Sequence, residues 1–182
     1  DPDLSALAQW LESKGESRAA TASRQAGHDS LAGYATELTG PVGELNTYAL
    51  HPKGNFLLLP ETAEGLFMQL ASIVSTGNRA VISATPTITT ALKDLPGSLL
   101  SRLKIKSDWQ GETNIAGALI EGGPERVRSI GLALASQPGP LIVSHATSGS
   151  TPVPQHFLLE EVVISTNTAA AGGNASLMTL EV

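Results

Sequence analysis

The four histidines are the residues best suited to acid–base or metal chemistry, and their spacing favours neither. His28, His51, His145 and His156 stand far apart, and no two of them are four residues apart. The sequence therefore contains no local metal-binding pattern, and positions in loops or on the surface account for these residues. Of the four, His145 is the best placed for a role in ligand binding, because it comes after a predicted strand, at the sheet edge where open α/β folds bind ligands.

Nucleophiles and carboxylates give no active-site pattern either. The absence of cysteine removes thiolate ligands, disulfides and a cysteine nucleophile. Ser148 and Ser150 lie near His145, but no Gly-x-Ser-x-Gly motif surrounds them. Glu160 and Glu161 are adjacent on a predicted helix, so their side chains diverge and cannot act as a pair. We therefore assign no catalytic residue.

Two glycine-rich segments could be considered as phosphate loops. Residues 120–124, Ile-Glu-Gly-Gly-Pro, join a predicted strand to a predicted helix, and such a junction can present backbone N–H groups to a phosphate. The segment matches neither Gly-x-Gly-x-x-Gly nor a P-loop, so a tight turn is the simpler interpretation. Residues 40–43, Gly-Pro-Val-Gly, precede extended structure rather than a helix. No cofactor-binding or metal-binding residue is assigned.

Composition narrows the class of protein. The 182 residues suffice for one domain with a core. The net charge is −6, from 11 basic and 17 acidic residues without a basic run, so nucleic acid and anionic membranes are not expected as partners. No apolar stretch is long enough to span a bilayer, and a cytoplasmic location is expected. The start at Asp1, without methionine, suggests a piece of a larger protein.

Short apolar segments alternate with helical ones along the chain. This alternation predicts an α/β fold, a mostly parallel sheet with helices on both faces. A β-hairpin is predicted over residues 46–60, with arms at 47–50 and 55–59. The first two helices carry few large apolar side chains, so we expect them to flank the domain. Predicted helices cover residues 3–14, 16–34, 62–76, 87–95, 125–136 and about 156–161, and predicted strands cover 79–83, 103–106, 115–120, 141–144 and 162–165.

The C-terminal stretch, residues 167–179, carries almost no large side chains. Burial of Leu177 and Met178 stabilises by roughly 1.5–3 kcal/mol each, whereas ordering costs about 1–2 kcal/mol per residue. Such a tail either frays or becomes ordered against a surface supplied by another part of a larger protein.

Residues 165–179, STNTAAAGGNASLMT, resemble the C-terminal signature of the long bifunctional proline utilisation A (PutA) proteins. A second block agrees with the same family: residues 31–34, LAGY, followed by residues 39–48, TGPVGELNTY. The two blocks occur in the same order, and the resemblance extends over nearly the whole chain. Residues 143–149 depart from what this family leads us to expect.

The resemblance implies a parent that joins a flavin-dependent proline dehydrogenase to an NAD-dependent Δ1-pyrroline-5-carboxylate dehydrogenase, with FAD and NAD bound by the parent. It implies a Rossmann-like domain similar to the nucleotide-binding domain of aldehyde dehydrogenases, with an extended C-terminal tail. The chain would be a non-catalytic lid that seals the tunnel between the two active sites. The residues assigned to the lid are Asn167, Thr168, Ala169, Ala170, Ala171, Gly172, Gly173, Asn174, Ala175, Ser176, Leu177, Met178 and Thr179.

We accordingly divide the chain into an N-terminal helical segment and linker (residues 1–45), a Rossmann-like domain (46–166) and the signature tail (167–182). The expected partners are other domains of the same polypeptide, chiefly the aldehyde dehydrogenase module. Two alternatives remain open: a dinucleotide- or small-ligand-binding regulatory domain, and an oligomerisation module.

Overall fold

The computed structural model describes residues 1–168. Two short 3-10 helices, Gly97–Ser101 and Gln155–Phe157, accompany the main elements. The α-helices in these residues are α1 (Pro2–Ser13), α2 (Ser17–His28), α3 (Ala63–Ser75), α4 (Pro86–Ala91) and α5 (Pro124–Ala135). The strands are β1 (Ala35–Leu38), β2 (Glu44–Pro52), β3 (Asn55–Leu59), β4 (Arg79–Ser83), β5 (Leu103–Lys106), β6 (Gly117–Glu121), β7 (Val143–Thr147) and β8 (Leu159–Asn167).

Five strands form a parallel sheet in the order β5-β4-β3-β6-β7. The central strand, β3, pairs in parallel with β4 on one side and β6 on the other, and the outer pairs are also parallel. The predicted α/β fold with a mostly parallel sheet is confirmed. The strand predicted over residues 141–144 begins two residues later, at Val143.

The sequence of β3 explains its central place in the sheet. Its residues Phe56, Leu57, Leu58 and Leu59 are each no more than 1% exposed. Successive side chains of a strand point to opposite faces, so a continuous apolar run suits a strand that is covered on both sides. Phe56 and Leu58 belong to one buried cluster, and Leu57 and Leu59 belong to another.

Helices cover both faces of this sheet, as predicted. The larger cluster joins the sheet to side chains of α1, α2, α3 and α4. The smaller cluster, on the other face, includes Leu134 of α5, with Val127 and Ile130 packed partly buried against it. The two layers of helix thus bury the apolar strands from opposite sides.

The N-terminal helices are part of the core, contrary to the expectation that they flank the domain. Leu7 and Leu11 are 0% exposed, and the Trp10 ring meets Phe67 of α3 edge to face at 5.7 Å. The few large apolar side chains of α1, namely Leu7, Trp10 and Leu11, are enough to bury this helix against the rest of the domain. The helix predicted over residues 16–34 ends at His28, and the chain then turns into β1.

The hairpin predicted over residues 46–60 is wrong. Residues 47–50 lie in β2, which pairs antiparallel with β1 and β8 in a separate three-stranded sheet. Residues 55–59 form β3 of the parallel sheet. The two segments have strand patterns and a turn between them. However, β3 is an apolar run that must be covered on both faces, whereas β2 is half exposed, so the two strands belong to different sheets. The hairpin that forms is the one between β1 and β2, around residues 39–43.

The helix predicted near residues 156–161 is also wrong. Only Gln155–Phe157 is helical, as one 3-10 turn, and β8 already begins at Leu159. The β-branched run at residues 162–164 belongs to a strand of nine residues, so Glu160 and Glu161 point to opposite faces of a sheet. The division at residues 45/46 and 166/167 stays a prediction; the two boundaries fall within β2 and β8.

Candidate functional site

The parallel sheet has a topological switch point between β3 and β6. From β3 the chain adds β4 and β5 on one side, and β6 and β7 are then added on the other. Open α/β sheets bind ligands in the crevice at the carboxyl ends of the strands beside such a point. Here those ends are Leu59 and Glu121, and α3 begins directly after β3. This crevice is the candidate site of the parallel sheet.

The carboxylate of Glu121 occupies the head of α3. Its Oε2 accepts hydrogen bonds from the backbone N–H of Glu61 at 2.7 Å and of Thr62 at 2.9 Å. Its Oε1 accepts from the Thr62 hydroxyl at 2.7 Å, and Glu121 is 7% exposed. Thr62 is the N-cap of α3, where its hydroxyl oxygen also accepts from the N–H of Gly65 at 2.9 Å. The positive end of the α3 dipole thus faces a negative charge supplied by the chain.

Two glycines give the carboxylate its space. A Cβ on Gly65, in the first turn of α3, would overlap the carboxylate of Glu121. A Cβ on Gly149, in the loop after β7, would lie 2.9 Å from Glu121 Oε1. The site is therefore shaped closely around this one side chain.

We expect Gly65→Ala to lower the free energy of unfolding by about 1–3 kcal/mol, because overpacking outweighs the better helix propensity of alanine. The matched control is Gly131→Ala in α5, where nothing lies within 4 Å of the added Cβ; there we expect stabilisation of up to about 1 kcal/mol. Denaturant unfolding of both variants measures the difference. Equal effects at the two positions would contradict the close packing of Glu121 on α3.

Arg126 joins the two strand ends at the switch point. Its Nε donates to the backbone oxygen of Glu121 at 2.8 Å, and its Nη2 donates to that of Leu59 at 3.2 Å. Its Nε also lies 3.5 Å from Glu61 Oε1. The guanidinium thus bridges the carboxyl ends of β3 and β6.

The sequence drew attention to the backbone N–H groups of residues 120–124, whereas in the structure the side chain of Glu121 makes the contacts. Gly122 does take the turn, with φ +138°, and α5 begins at Pro124. A signal was present in the sequence: a single acidic residue ends an otherwise apolar strand. A buried carboxylate at such a place needs partners, and the head of a helix is a ready source of N–H donors.

His145 lies in β7 beside aromatic rings. Its ring centroid is 3.9 Å from that of Phe157, which in turn lies 4.1 Å from that of His156. Burial, together with the nearby Lys53 and His156, lowers the pKa of His145. His145 and Ser148 help to line a cavity of about 430 Å³. The Ser148 hydroxyl lies 3.2 Å from those of Ser150 and Thr151.

The three-stranded sheet carries the start of the predicted lid. Asn167, the last residue of β8, pairs with Glu44, and the N–H of Thr168 donates to the backbone oxygen of Gly43 at 2.8 Å. The remaining lid residues, 169–179, lie outside the described part of the chain. Large apolar side chains of this sheet are exposed, namely Leu38, Leu45, Val163 and Ile164.

Among residues 1–168, no three His, Asp or Glu side chains are grouped so that they could hold a metal ion. Within that range, no helix combines the length and the apolar character needed to cross a membrane.

Known proteins align with this chain over almost its whole length. No family model matches it. It is 44% identical over 186 residues to the bifunctional protein PutA of Rhizobium meliloti, in an alignment that covers 99% of this chain and 15% of that protein. The chain thus spans about 15% of the length of this relative.

Solved structures share the fold. A PutA variant from Bradyrhizobium japonicum has a TM-score of 0.62 and 21% identity, covering 80% of this chain and 19% of that one. An NAD-dependent benzaldehyde dehydrogenase from Corynebacterium glutamicum has a TM-score of 0.55 and 13% identity, covering 80% of this chain and 38% of that one. At these identities the likeness concerns the fold, which is that of aldehyde dehydrogenase domains.

Proposed function

We propose that this chain, which fits a C-terminal fragment of a bifunctional PutA protein, acts as a non-catalytic lid over the tunnel between the two active sites of its parent. The parent would oxidise proline to glutamate in the cytoplasm, with FAD in its proline dehydrogenase module and NAD in its pyrroline-5-carboxylate dehydrogenase module. The partner of the lid would be the aldehyde dehydrogenase module of the same polypeptide.

The observation that carries the proposal is the three-stranded sheet from which the tail continues. Val163 and Ile164 of β8 are 58% and 56% exposed. As neighbours on a strand they point to opposite faces, so both faces of the sheet present apolar surface. We take this exposed apolar surface as the surface that docks on the neighbouring module. β8 ends at Asn167, which puts the first lid residue on the element that we expect to dock.

The composition of the tail suits close contact with another surface. Residues 167–179 are mostly alanine, glycine, serine, threonine and asparagine, whose small side chains allow the backbone to approach a neighbour closely. Leu177 and Met178 could anchor the end. A lid so built would exclude water and retain the reactive intermediate while it passes between the sites.

A regulatory dinucleotide-binding domain is the second candidate, and the fold shared with an NAD-dependent dehydrogenase favours it. The bonded carboxylate at the head of α3 counts against it. A melting experiment distinguishes the two, because a ligand at 100 times its dissociation constant adds about 2.7 kcal/mol to stability. A rise in melting temperature with NAD would favour the second candidate.

The lid is tested by deleting residues 167–182 from the full-length parent. We expect a lag in NADH formation from proline or a damaged second step, while the reduction of flavin by proline continues, because the lid acts after the first reaction. The measurement is both half-reactions and the coupled progress curve, for the deleted and the intact parent.

Two outcomes would count against the lid. If both half-reactions and the coupled curve stay unchanged, the tail does not seal the tunnel. If flavin reduction falls as much as the coupled rate, the tail is a general folding element. The isolated 182-residue chain serves as a further control; it is expected to turn over neither proline nor pyrroline-5-carboxylate.

A further inference from the structure

We propose that Glu121 is an internal ligand for the anion-binding position at the head of α3, so that a carboxylate of the chain stands where a Rossmann-like domain would hold a dinucleotide phosphate. This inference does not rest on the lid. It concerns Glu121, at the carboxyl end of β6, and does not depend on the role of the tail.

The position has the features of an anion site. It lies at the switch point of a parallel sheet, at the N-terminus of the helix that follows the central strand. A helix N-terminus there offers backbone N–H groups and the positive end of a dipole. The N–H groups of Glu61 and Thr62 converge on one point, which is the Oε2 atom of Glu121.

Both oxygens of the carboxylate are engaged at this site. Both oxygens accept hydrogen bonds, at 2.7 to 2.9 Å, and the side chain reaches from β6 across to α3. Gly65 leaves the space in which the carboxylate lies. Arg126 fixes the backbone of Glu121 from the other side. An incoming phosphate would have to displace a buried and bonded side chain.

The surrounding charges would also oppose a second anion. Glu61 and Glu64 come just before and just after the N-cap residue Thr62 in the sequence. The nearby cations are already engaged: Arg18 lies 2.8 Å from Glu64, and Arg126 is bonded to backbone oxygens and lies 3.5 Å from Glu61. A pyrophosphate would thus meet carboxylates without a spare cation among these residues.

The test is hydrogen exchange of the peptide that covers residues 60–66 in the full-length parent. Glu121→Ala removes the acceptor, so we expect exchange there to become about ten- to a hundredfold faster, the range for loss of a hydrogen bond to a charged group. Formate is a carboxylate small enough to enter the space left behind. It should restore protection in this variant, whereas chloride at equal ionic strength should not.

Two further variants control the result. Glu64→Ala removes an exposed carboxylate from the first turn of α3, and formate should not alter its exchange. Glu121→Gln keeps the volume and one carbonyl acceptor; it should exchange at a rate between the wild type and Glu121→Ala, without a response to formate. This variant carries the test if the alanine variant fails to fold.

The complementary test adds external anions to the wild-type protein. Inorganic pyrophosphate or NAD should leave exchange at residues 60–66 unchanged. Protection of this peptide by either one would overturn the proposal, because the position would then accept an external anion. Unchanged exchange in both Glu121 variants, or a loss in Glu121→Ala that formate does not reverse, would overturn it as well.

Discussion

Trp10→Ala is expected to lower the free energy of unfolding of the chain by about 3–5 kcal/mol, as truncation of a large buried aromatic residue does. Trp10 is 5% exposed, its ring packs edge to face on Phe67, and its Nε1 donates to the backbone oxygen of Lys93 at 3.3 Å. The substitution removes burial, a ring contact and a hydrogen bond that ties α1 to the segment after α4.

Denaturant unfolding of the 182-residue chain measures this effect. Gln9→Ala, at an exposed neighbouring position of α1, is the matched control, with an expected change within about 0.5 kcal/mol. Trp10→Phe should lie between the two, because it keeps an aromatic ring against Phe67. A loss for Trp10→Ala no larger than for Gln9→Ala would show that α1 is separable from the parallel-sheet domain.

Ala49→Pro in β2 is expected to reproduce the tail deletion in the full-length parent. Ala49 lies on the middle strand, opposite Ala35 of β1 and Val162 of β8. Proline cannot donate to the ladder and is rarely found inside central strands. The sheet that leads to the proposed lid would open, so NADH formation should show the lag while flavin reduction continues.

The fold of the parallel sheet should survive this substitution. In the described part of the chain, β2 contributes no side chain to either buried cluster. Ala49→Val is the control, since a β-branched residue suits a strand, and it should leave the coupled reaction normal. A normal progress curve for Ala49→Pro, with fast hydrogen exchange of β8 showing that the sheet has opened, would contradict the role of this sheet.

The sequence alone was sufficient to predict those helices and strands whose own residues carry a distinctive pattern. The apolar strands of the parallel sheet and the capped helix α3 were predicted because burial on both faces and helical spacing leave distinct signatures. The limits of α3 came within one residue at each end, since Thr62 is an N-cap residue and Gly77 follows the helix.

The sequence was insufficient where the answer depends on distant partners. The pattern of β2 shows that it is a strand, but not that it pairs with β8, more than a hundred residues away, rather than with the adjacent β3. Likewise, residues 120–124 indicate that a buried Glu121 needs hydrogen-bond donors, but not that these are the N–H groups of residues 61 and 62. Such contacts are fixed by the sheet order, which brings the ends of β3 and β6 together.

The lid is tested most directly by capture of the intermediate in a parent from which residues 169–182 are deleted. This deletion keeps all of β8 and the hydrogen bond from the Thr168 N–H to the backbone oxygen of Gly43. A soluble carbonyl scavenger is added during proline oxidation, and the fraction of intermediate that it captures is measured. We predict substantial capture for the truncated parent and little for the intact one; equal capture from both would contradict the lid.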